Sequence, residues 1–366
     1  MRKLLALVAF GVLALGVAAC GSSDNDNGGG GSSSASVPDK GGSLNGAGAT
    51  FPQPVYDEWS ARFKDNTGTT VNYQGIGSGG GVAQFTAGTV AFGASDSAMT
   101  DDEVKAASKK GDPVHVPSVL GAVTVSYNVD EVDKGLKLDG PTVADIFLGK
   151  VKKWNDPGIA KQNSGAKLPD TDISVCHRSD ESGTTKLFTT FLADYSTAWK
   201  NGPGVDKTVK WPTGTGAKGN DGVAACVKQN KGSVGYVEQA FALQNNFKTA
   251  DVKNEAGNYI APSLDSTSAA GVGLKIPTDL RFSAINAPGD KAYPIASATF
   301  LLVYKDMCKA GQEPAQAQRV KNWLSYALGA GQKVAPELQY APLPDSLHTQ
   351  ALAEVKGLTC NGKALK

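Results

Sequence analysis

Arg178-Ser179-Asp180-Glu181-Ser182-Gly183-Thr184 is the stretch on which the reading of this chain turns. A segment with strand character, Asp172 to His177, runs into it. A segment with helix character, Thr185 to Asp194, leaves it, with Leu187, Phe188, Phe191 and Leu192 at helical spacing. A helix start leaves backbone N–H groups without intrahelical partners, and the helix dipole adds positive potential there. Hydroxyl residues, a glycine and the planar guanidinium of Arg178 at such a start predict an oxyanion site.

The same layout, strand then Ser-Gly then helix start, occurs at Ser78-Gly79, and Thr50 stands before a third helix start. Gly46 to Pro52 precede a helix predicted from about Pro54 to Asn66, with Val55, Trp59 and Phe63 on one face and Gly68 at its end. A strand, Thr70 to Gln74, leads into Gly75-Ile76-Gly77-Ser78-Gly79-Gly80-Gly81 and a short helix carrying Val82 and Phe85. A strand from Thr89 to Gly93 runs into Ala94-Ser95-Asp96, and Val114 to Tyr127 and a helix Val143 to Leu148 continue the alternation. Lys218 to Gly222 open a helix containing Val223, Ala224, Cys226 and Val227. Gly232 to Val237 and Tyr293 to Tyr304 read as buried strands, and the amphipathic helix Pro314 to Leu328 is the last clear element. Such alternation predicts an α/β fold, whose ligands sit outside the carboxyl ends of the strands, where these turns would lie.

Composition narrows the function. A chain of 366 residues has room for two domains. With 36 basic against 35 acidic residues its net charge is +1, which is no electrostatic footprint for nucleic acid, so anion selectivity must come from local geometry. The 3 histidines, at 115, 177 and 348, are far apart, which argues against a His-rich metal site. Arg2 and Lys3 followed by apolar Leu4 to Val17 form a secretory signal, too short for a spanning helix. It ends in Val17-Ala18-Ala19-Cys20-Gly21, which resembles the bacterial lipobox. Residues 1–20 are therefore read as a lipoprotein signal ending at a lipidated Cys20, and residues 21–43 as a flexible Ser/Gly tether. Cys176, Cys226, Cys308 and Cys360 remain, an even number suited to an oxidising compartment; as disulfide candidates they allow three pairings.

Rival motifs are weaker. Residues 75–80 and 214–219 both satisfy GxGxxG, but without the acidic residue of a clear dinucleotide unit, and Lys218 is not followed by the Ser or Thr of a P-loop. Ser182, Asp180 and His177 crowd into six residues, whereas a catalytic base is fixed by a separate element; His177 is expected to alternate away from the site as a partly exposed side chain. No ligand cluster for a two-metal phosphatase is evident. Lys150, Lys152 and Lys153 read as a solvated helix face, and Trp59, Trp154, Trp199, Trp211 and Trp323 as core.

GAGATFPQPVY from Gly46, VNYQGIGSGGGV from Val71, FGASD from Phe92, RSDESGTT from Arg178, KGNDGVAA from Lys218, GYVE from Gly235 and YPIASATFLLVYKD from Tyr293 occur in order. From about Leu44 to the last helices the chain closely resembles the substrate-binding protein of the bacterial phosphate ABC transporter. The resemblance implies a two-domain periplasmic-binding-protein-like (type II) α/β fold with a hinge. Domain I would be 44–120 plus 295–366 and domain II 121–294, with crossovers near Ser118 to Val125 and Pro294 to Val303. That division favours the pairs Cys176–Cys226 and Cys308–Cys360. It implies a non-enzymatic monomer, lipid-anchored on the outer face of the bacterial cell membrane. Its partners would be inorganic phosphate, as ligand without cofactor, and the permease subunits; neither nucleic acid nor metal would be bound.

The ligand contacts it implies are Thr50, Phe51, Ser78, Asp96, Arg178, Asp180, Ser182, Gly183 and Thr184. Thr50, Ser78, Ser182 and Thr184 would donate hydroxyls; Phe51, Gly183 and Thr184 backbone N–H groups; Arg178 a charge held by Asp180. Where relatives commonly carry a small residue this chain has Glu181, which is expected to point to solvent. Phosphate near neutral pH carries a proton and sulfate carries none, so an acceptor at Asp96 would separate them. Leaving two acceptors opposed costs roughly 1–3 kcal/mol or more. Sulfate, molybdate and arsenate are the alternatives within the binding class.

Overall fold

The computed structural model describes residues 41–366, so the signal at residues 1–20, the lipidated Cys20 and the tether up to residue 40 lie outside the described residues. Ser43, the last residue of the expected tether, already begins a strand.

Eight strands build the main sheet: β1 (Ser43–Gly48), β2 (Thr70–Gly75), β3 (Phe92–Ser95), β4 (Pro113–Asn128), β5 (Ser174–Arg178), β6 (Thr215–Ala217), β7 (Ser233–Glu238) and β8 (Ala296–Tyr304). They lie in the order β2-β1-β3-β8-β4-β7-β5-β6, and Lys248–Thr249 adds a ninth strand beside β4. The sheet is mixed: β1 is parallel to β2 and β3, and β5 to β6 and β7, while β8 and β4 run antiparallel to their neighbours. Every residue of β8 is buried, so both of its faces are covered; such strands read as near-continuous apolar runs.

β4 belongs to two halves of the sheet. Pro113 to Ala122 pair with β8, and Val123 to Asn128 pair with β7. The returning chain meets it at the same point: Val123 N–H donates to the Ile295 carbonyl, and the Tyr293 hydroxyl to the Val123 carbonyl.

The helices are α1 (Gln53–Thr67), α2 (Ser78–Ala87), α3 (Asp101–Ala107), α4 (Gly140–Phe147), α5 (Gly183–Tyr195), α6 (Gly219–Gln229), α7 (Pro314–Leu328) and α8 (Asp345–Lys356), with shorter turns between them. On α1 the residues Val55, Tyr56, Trp59 and Phe63 recur at helical spacing and are buried; Trp59 and Phe63 meet Trp323 of α7 edge-on at 6.3 and 5.4 Å. Two disulfides close, Cys176–Cys226 and Cys308–Cys360, with Cα separations of 6.1 and 4.7 Å.

Three local expectations shift. β3 starts at Phe92 rather than Thr89, because Gly88 ends α2 in the left-handed region and the Thr89 N–H bonds back to the Gln84 carbonyl. α2 starts inside the glycine run, at Ser78; a Cβ on Gly81 would lie 2.5 Å from the Cα of Gly48, so only glycine lets this helix press onto β1. Lys150, Lys152 and Lys153 are exposed but are not on a helix, since α4 stops at Phe147 and Gly149 turns the chain with φ +72°. Trp59, Trp154, Trp199 and Trp323 are fully buried, whereas Trp211 is half-buried. Beyond α7 the chain adds α8, which buries Leu347, Ala351 and Val355 at four-residue spacing.

Candidate functional site

The Asp96 carboxylate is the point on which polar groups from both halves converge. It follows β3 directly and is 1% exposed. Thr299 of β8 donates its hydroxyl to Oδ1 at 3.1 Å, and Ser297 donates to the Asp96 carbonyl at 3.1 Å. Thr184 and Ser78 donate to Oδ2 at 3.4 and 3.5 Å, and the Asp96 N–H donates to Ser78 Oγ at 3.2 Å. Burial pushes the Asp96 carboxyl up to about 7, against the opposing pull of the Arg178 charge and the hydroxyl donors. The carboxyl therefore titrates near neutral pH.

Arg178 ends β5 with its side chain 1% exposed. A buried guanidinium without a partner is costly, and Asp180 supplies one bidentately: Nε and Nη2 donate to its two oxygens at 2.7 and 2.5 Å. Burial pushes the Asp180 carboxyl up, but the Arg178 pair and the Gly219 N–H outweigh it and hold it below the usual range. Arg178 Nη1 stays directed at Thr184 Oγ1, 3.3 Å away. The ion pair is internally balanced, so the site adds little net charge and relies on neutral donors.

Ser182 is the N-cap of α5, its Oγ accepting the Thr185 N–H at 3.0 Å. Gly183 and Thr184 are the first two residues of the helix, whose N–H groups have no intrahelical acceptor. Gly183 sits where the halves touch: a Cβ there would lie 2.3 Å from Ser78 Oγ and 2.8 Å from Asp96 Cβ. Ser78 is fully buried at the start of α2. Thr50 is 3% exposed and joins the cluster through Asn220. Phe51 follows it with its ring over Gly121 of β4, and its carbonyl accepts the Tyr340 hydroxyl at 2.6 Å. Eight of the nine expected residues thus share one hydrogen-bonded cluster or its helix start, and Phe51 backs it. Glu181 is exposed; its side chain lies against Gly79, and its carbonyl accepts the Gly79 N–H at 3.0 Å.

Several residues of this centre had not been singled out. Asn220, fully buried, donates its side-chain amide to Thr50 Oγ1 at 2.9 Å and to Thr184 Oγ1 at 3.3 Å. Its position one residue into α6, in Lys218-Gly219-Asn220, was the available signal. Ser297 and Thr299 are polar positions two apart in an apolar strand, hence on one face. Tyr236 of β7 braces the arginine: its hydroxyl accepts the Arg178 N–H at 3.0 Å and bonds to Thr185 Oγ1 at 2.6 Å.

His177 is turned away from the cluster but is buried rather than partly exposed, because its ring stacks on Trp211 at 4.7 Å with Nδ1 3.0 Å from the Arg178 carbonyl. Among the described residues no group of His, Cys, Asp and Glu side chains is arranged to hold a metal ion, and no helix is long and apolar enough to cross a membrane.

A model of the PBP superfamily domain matches residues 33–330. The chain is 42% identical over 330 residues to the phosphate-binding protein PstS of Pasteurella multocida (strain Pm70), covering 88% of this chain and 93% of that one. It is 43% identical over 310 residues to the phosphate-binding protein PstS of Xylella fastidiosa (strain 9a5c), covering 84% and 83%. In structure it resembles PfluDING, a high-affinity periplasmic phosphate-binding protein solved with phosphate, with a TM-score of 0.70 at 24% identity over 85% of this chain and 93% of that one. It also resembles the phosphate-binding protein of Stenotrophomonas maltophilia, with a TM-score of 0.65 at 21% identity over 85% and 93%. At these identities the two structures speak for the fold, a two-domain periplasmic-binding-protein-like α/β architecture. By its sequence the chain belongs to the PstS family of phosphate-binding proteins, within the PBP superfamily.

Proposed function

We propose that this protein captures inorganic phosphate between two hinged domains and hands it to the membrane permease of a phosphate ABC import system. In this reading 44–120 with 295–366 form one domain and 121–294 the other, hinged where β4 changes partner. The body is a monomeric carrier without enzymatic activity or cofactor. It is tethered through residues 21–43 to a lipidated Cys20 on the outer face of the cell membrane.

The observation that carries the reading is the Asp96 cluster, a buried carboxylate ringed by hydroxyls of both halves beside a neutralised guanidinium. The hydroxyls of Thr50, Ser78, Ser182 and Thr184, the N–H groups of Phe51, Gly183 and Thr184, and Arg178 donate to phosphate oxygens. Hydrogen bonds to an ionised acceptor are roughly twice as strong as neutral ones, so few formal charges are needed. Asp96 accepts the phosphate O–H; sulfate would bring it a bare oxygen instead, at a cost of roughly 1–3 kcal/mol or more. Contacts from both domains drive closure, because only the closed form satisfies the anion on all sides. Family membership supports the same reading: the relatives carry the name phosphate-binding protein.

Titration calorimetry with phosphate and with sulfate at two pH values flanking neutrality tests it. Tight phosphate binding is expected, with little sulfate heat on the alkaline side, where Asp96 is ionised; sulfate bound as well as phosphate at that pH, or no phosphate heat, refutes it. Release of phosphate from a chromogenic ester above background would refute the carrier-only assignment.

A further inference from the structure

α3 begins with three acidic residues, Asp101, Asp102 and Glu103, and the opposite half of the sheet sends cations onto that turn. Lys207 is 6% exposed, and its ammonium forms an ion pair with Glu103 Oε1. Arg281 Nη1 donates to Asp101 Oδ1 at 2.7 Å and to the Met99 carbonyl at 3.3 Å. The two pairs differ in weight. Asp101 is 93% exposed on its side chain, so salt and water screen its pair, which is worth little. The Lys207–Glu103 pair is largely shielded, with side chains 7% and 27% exposed.

Lys207 also touches the anion-facing helix. Its carbonyl accepts the Ser182 N–H at 2.9 Å, and Ser182 is the cap of α5. One residue thus holds the start of α5 with its backbone and reaches α3 with its side chain. Glu103 is itself fixed: its Oε2 accepts the Thr100 N–H at 2.8 Å while Thr100 Oγ1 accepts the Glu103 N–H at 3.2 Å, a capping box. Burial pushes the Glu103 carboxyl up, but Lys207, the Thr100 N–H and the charge of Lys186 hold it below the usual range.

We infer that Lys207 is a positioning residue of the binding site, which latches the half carrying α5 onto Glu103 of α3 and thereby sets how long the anion stays bound. The inference rests on the proposed phosphate capture by domain closure. The pair joins residues from opposite sides of the switch in β4, so opening the halves must break it and expose an ammonium and a carboxylate to water. Truncating one partner of such a shielded pair acts on dissociation more than on association.

The test is stopped-flow phosphate release from the full chain and from Lys207→Met, Lys207→Arg, Glu103→Gln and the Lys207→Met/Glu103→Gln pair. Glutamine keeps the capping box, so Glu103→Gln removes the charge alone. We expect release to speed up about tenfold in Lys207→Met and Glu103→Gln, association to change less than about threefold, and the double variant to be no faster than the singles. Lys207→Arg should restore slow release. Unchanged release in Glu103→Gln, or fully additive effects in the double variant, overturns the latch. If Lys207→Met does not fold, Glu103→Gln and Lys207→Arg decide by the same criteria. A wild-type chain that binds no phosphate refutes the capture reading itself, whereas wild-type binding with unaltered variants refutes only the latch.

Discussion

Thr50 and Asn220 stand 170 residues apart, and the Thr50 hydroxyl oxygen accepts two hydrogen bonds from Asn220, one from its backbone N–H at 3.1 Å and one from its side-chain amide at 2.9 Å. A hydroxyl has two acceptor lone pairs and one hydrogen. With both lone pairs engaged, Thr50 can only donate to a further partner. Asn220 thus turns Thr50 into a dedicated donor, which suits an oxyanion and disfavours a cation.

Asn220→Ala should therefore weaken phosphate binding by about 1–2 kcal/mol without removing any expected ligand contact. It should also lower stability by about 1–3 kcal/mol, because the Glu238 N–H that donates to Asn220 Oδ1 at 3.0 Å is left buried and unpaired. Calorimetry and urea unfolding report the two effects separately; unchanged affinity would show that Thr50 needs no orientation.

Asp96→Asn should leave phosphate binding little changed and raise sulfate binding, since an amide can donate to a bare oxygen. It should also alter the pH dependence of stability. The folded-state value rises from the ordinary 3.8 to about 7, so the native protein holds a proton that the unfolded chain has released between those values. The sign is that stability is lost as pH rises through this window, on the order of 3–5 kcal/mol at full effect. Unfolding of the ligand-free protein across that window should show the loss in wild type and its absence in Asp96→Asn.

Arg178→Ala should cost on the order of 2–5 kcal/mol in phosphate affinity and strand Asp180 without its partner. Arg178→Lys should not rescue it fully, because an ammonium cannot hold both Asp180 oxygens and still face Thr184. A dissociation constant unchanged in Arg178→Ala would contradict the assignment.

Gly183→Ala tests the contact between halves. A methyl 2.3 Å from Ser78 Oγ must push α5 away from α2. Phosphate affinity should fall by at least about tenfold, as small-to-large changes in packed sites cost roughly 1–3 kcal/mol. Melting of the ligand-free protein should change less, because the halves can separate; equal losses in both measurements would place the clash within a single rigid unit.

Glu238→Gln addresses a second buried carboxyl. Glu238 is fully buried beside the switch in β4, its Oε2 accepting the Ala240 N–H at 2.7 Å while Oε1 has no partner. Burial raises its carboxyl well above the usual glutamate range, against the pull of the Ala240 N–H. At acidic pH the carboxyl is neutral in both the folded and the unfolded chain, so the isosteric amide should leave stability there within about 1 kcal/mol of wild type. Above the ordinary glutamate range wild type loses stability with rising pH, and the variant should lose less. Parallel profiles in urea unfolding would refute the upward shift of the Glu238 carboxyl.

The local elements were largely legible in the sequence. Apolar spacing marked α1, α5 and α7, and hydroxyl and glycine residues marked the starts of α2 and α5, because helix caps and amphipathic faces are short-range properties. The family was readable from ordered motifs, and those motifs also named eight residues that the fold gathers in the Asp96 cluster or at its helix start. α8 carries a periodic signal of its own at Leu347, Ala351 and Val355, beyond the last clear element of the sequence reading.

The sequence by itself determined the chemistry on offer: a helix start rich in hydroxyls, one arginine with an aspartate two residues on, and a separate aspartate after a strand. Only the tertiary structure decided that Asn220 would fill the lone pairs of Thr50, that Ser297 and Thr299 would hold Asp96, and that Lys207 would meet Glu103. These pairs join residues about 100 to 200 positions apart. No local preference encodes such contacts; they exist because the register of β4 against both β8 and β7 brings distant helix starts to one place.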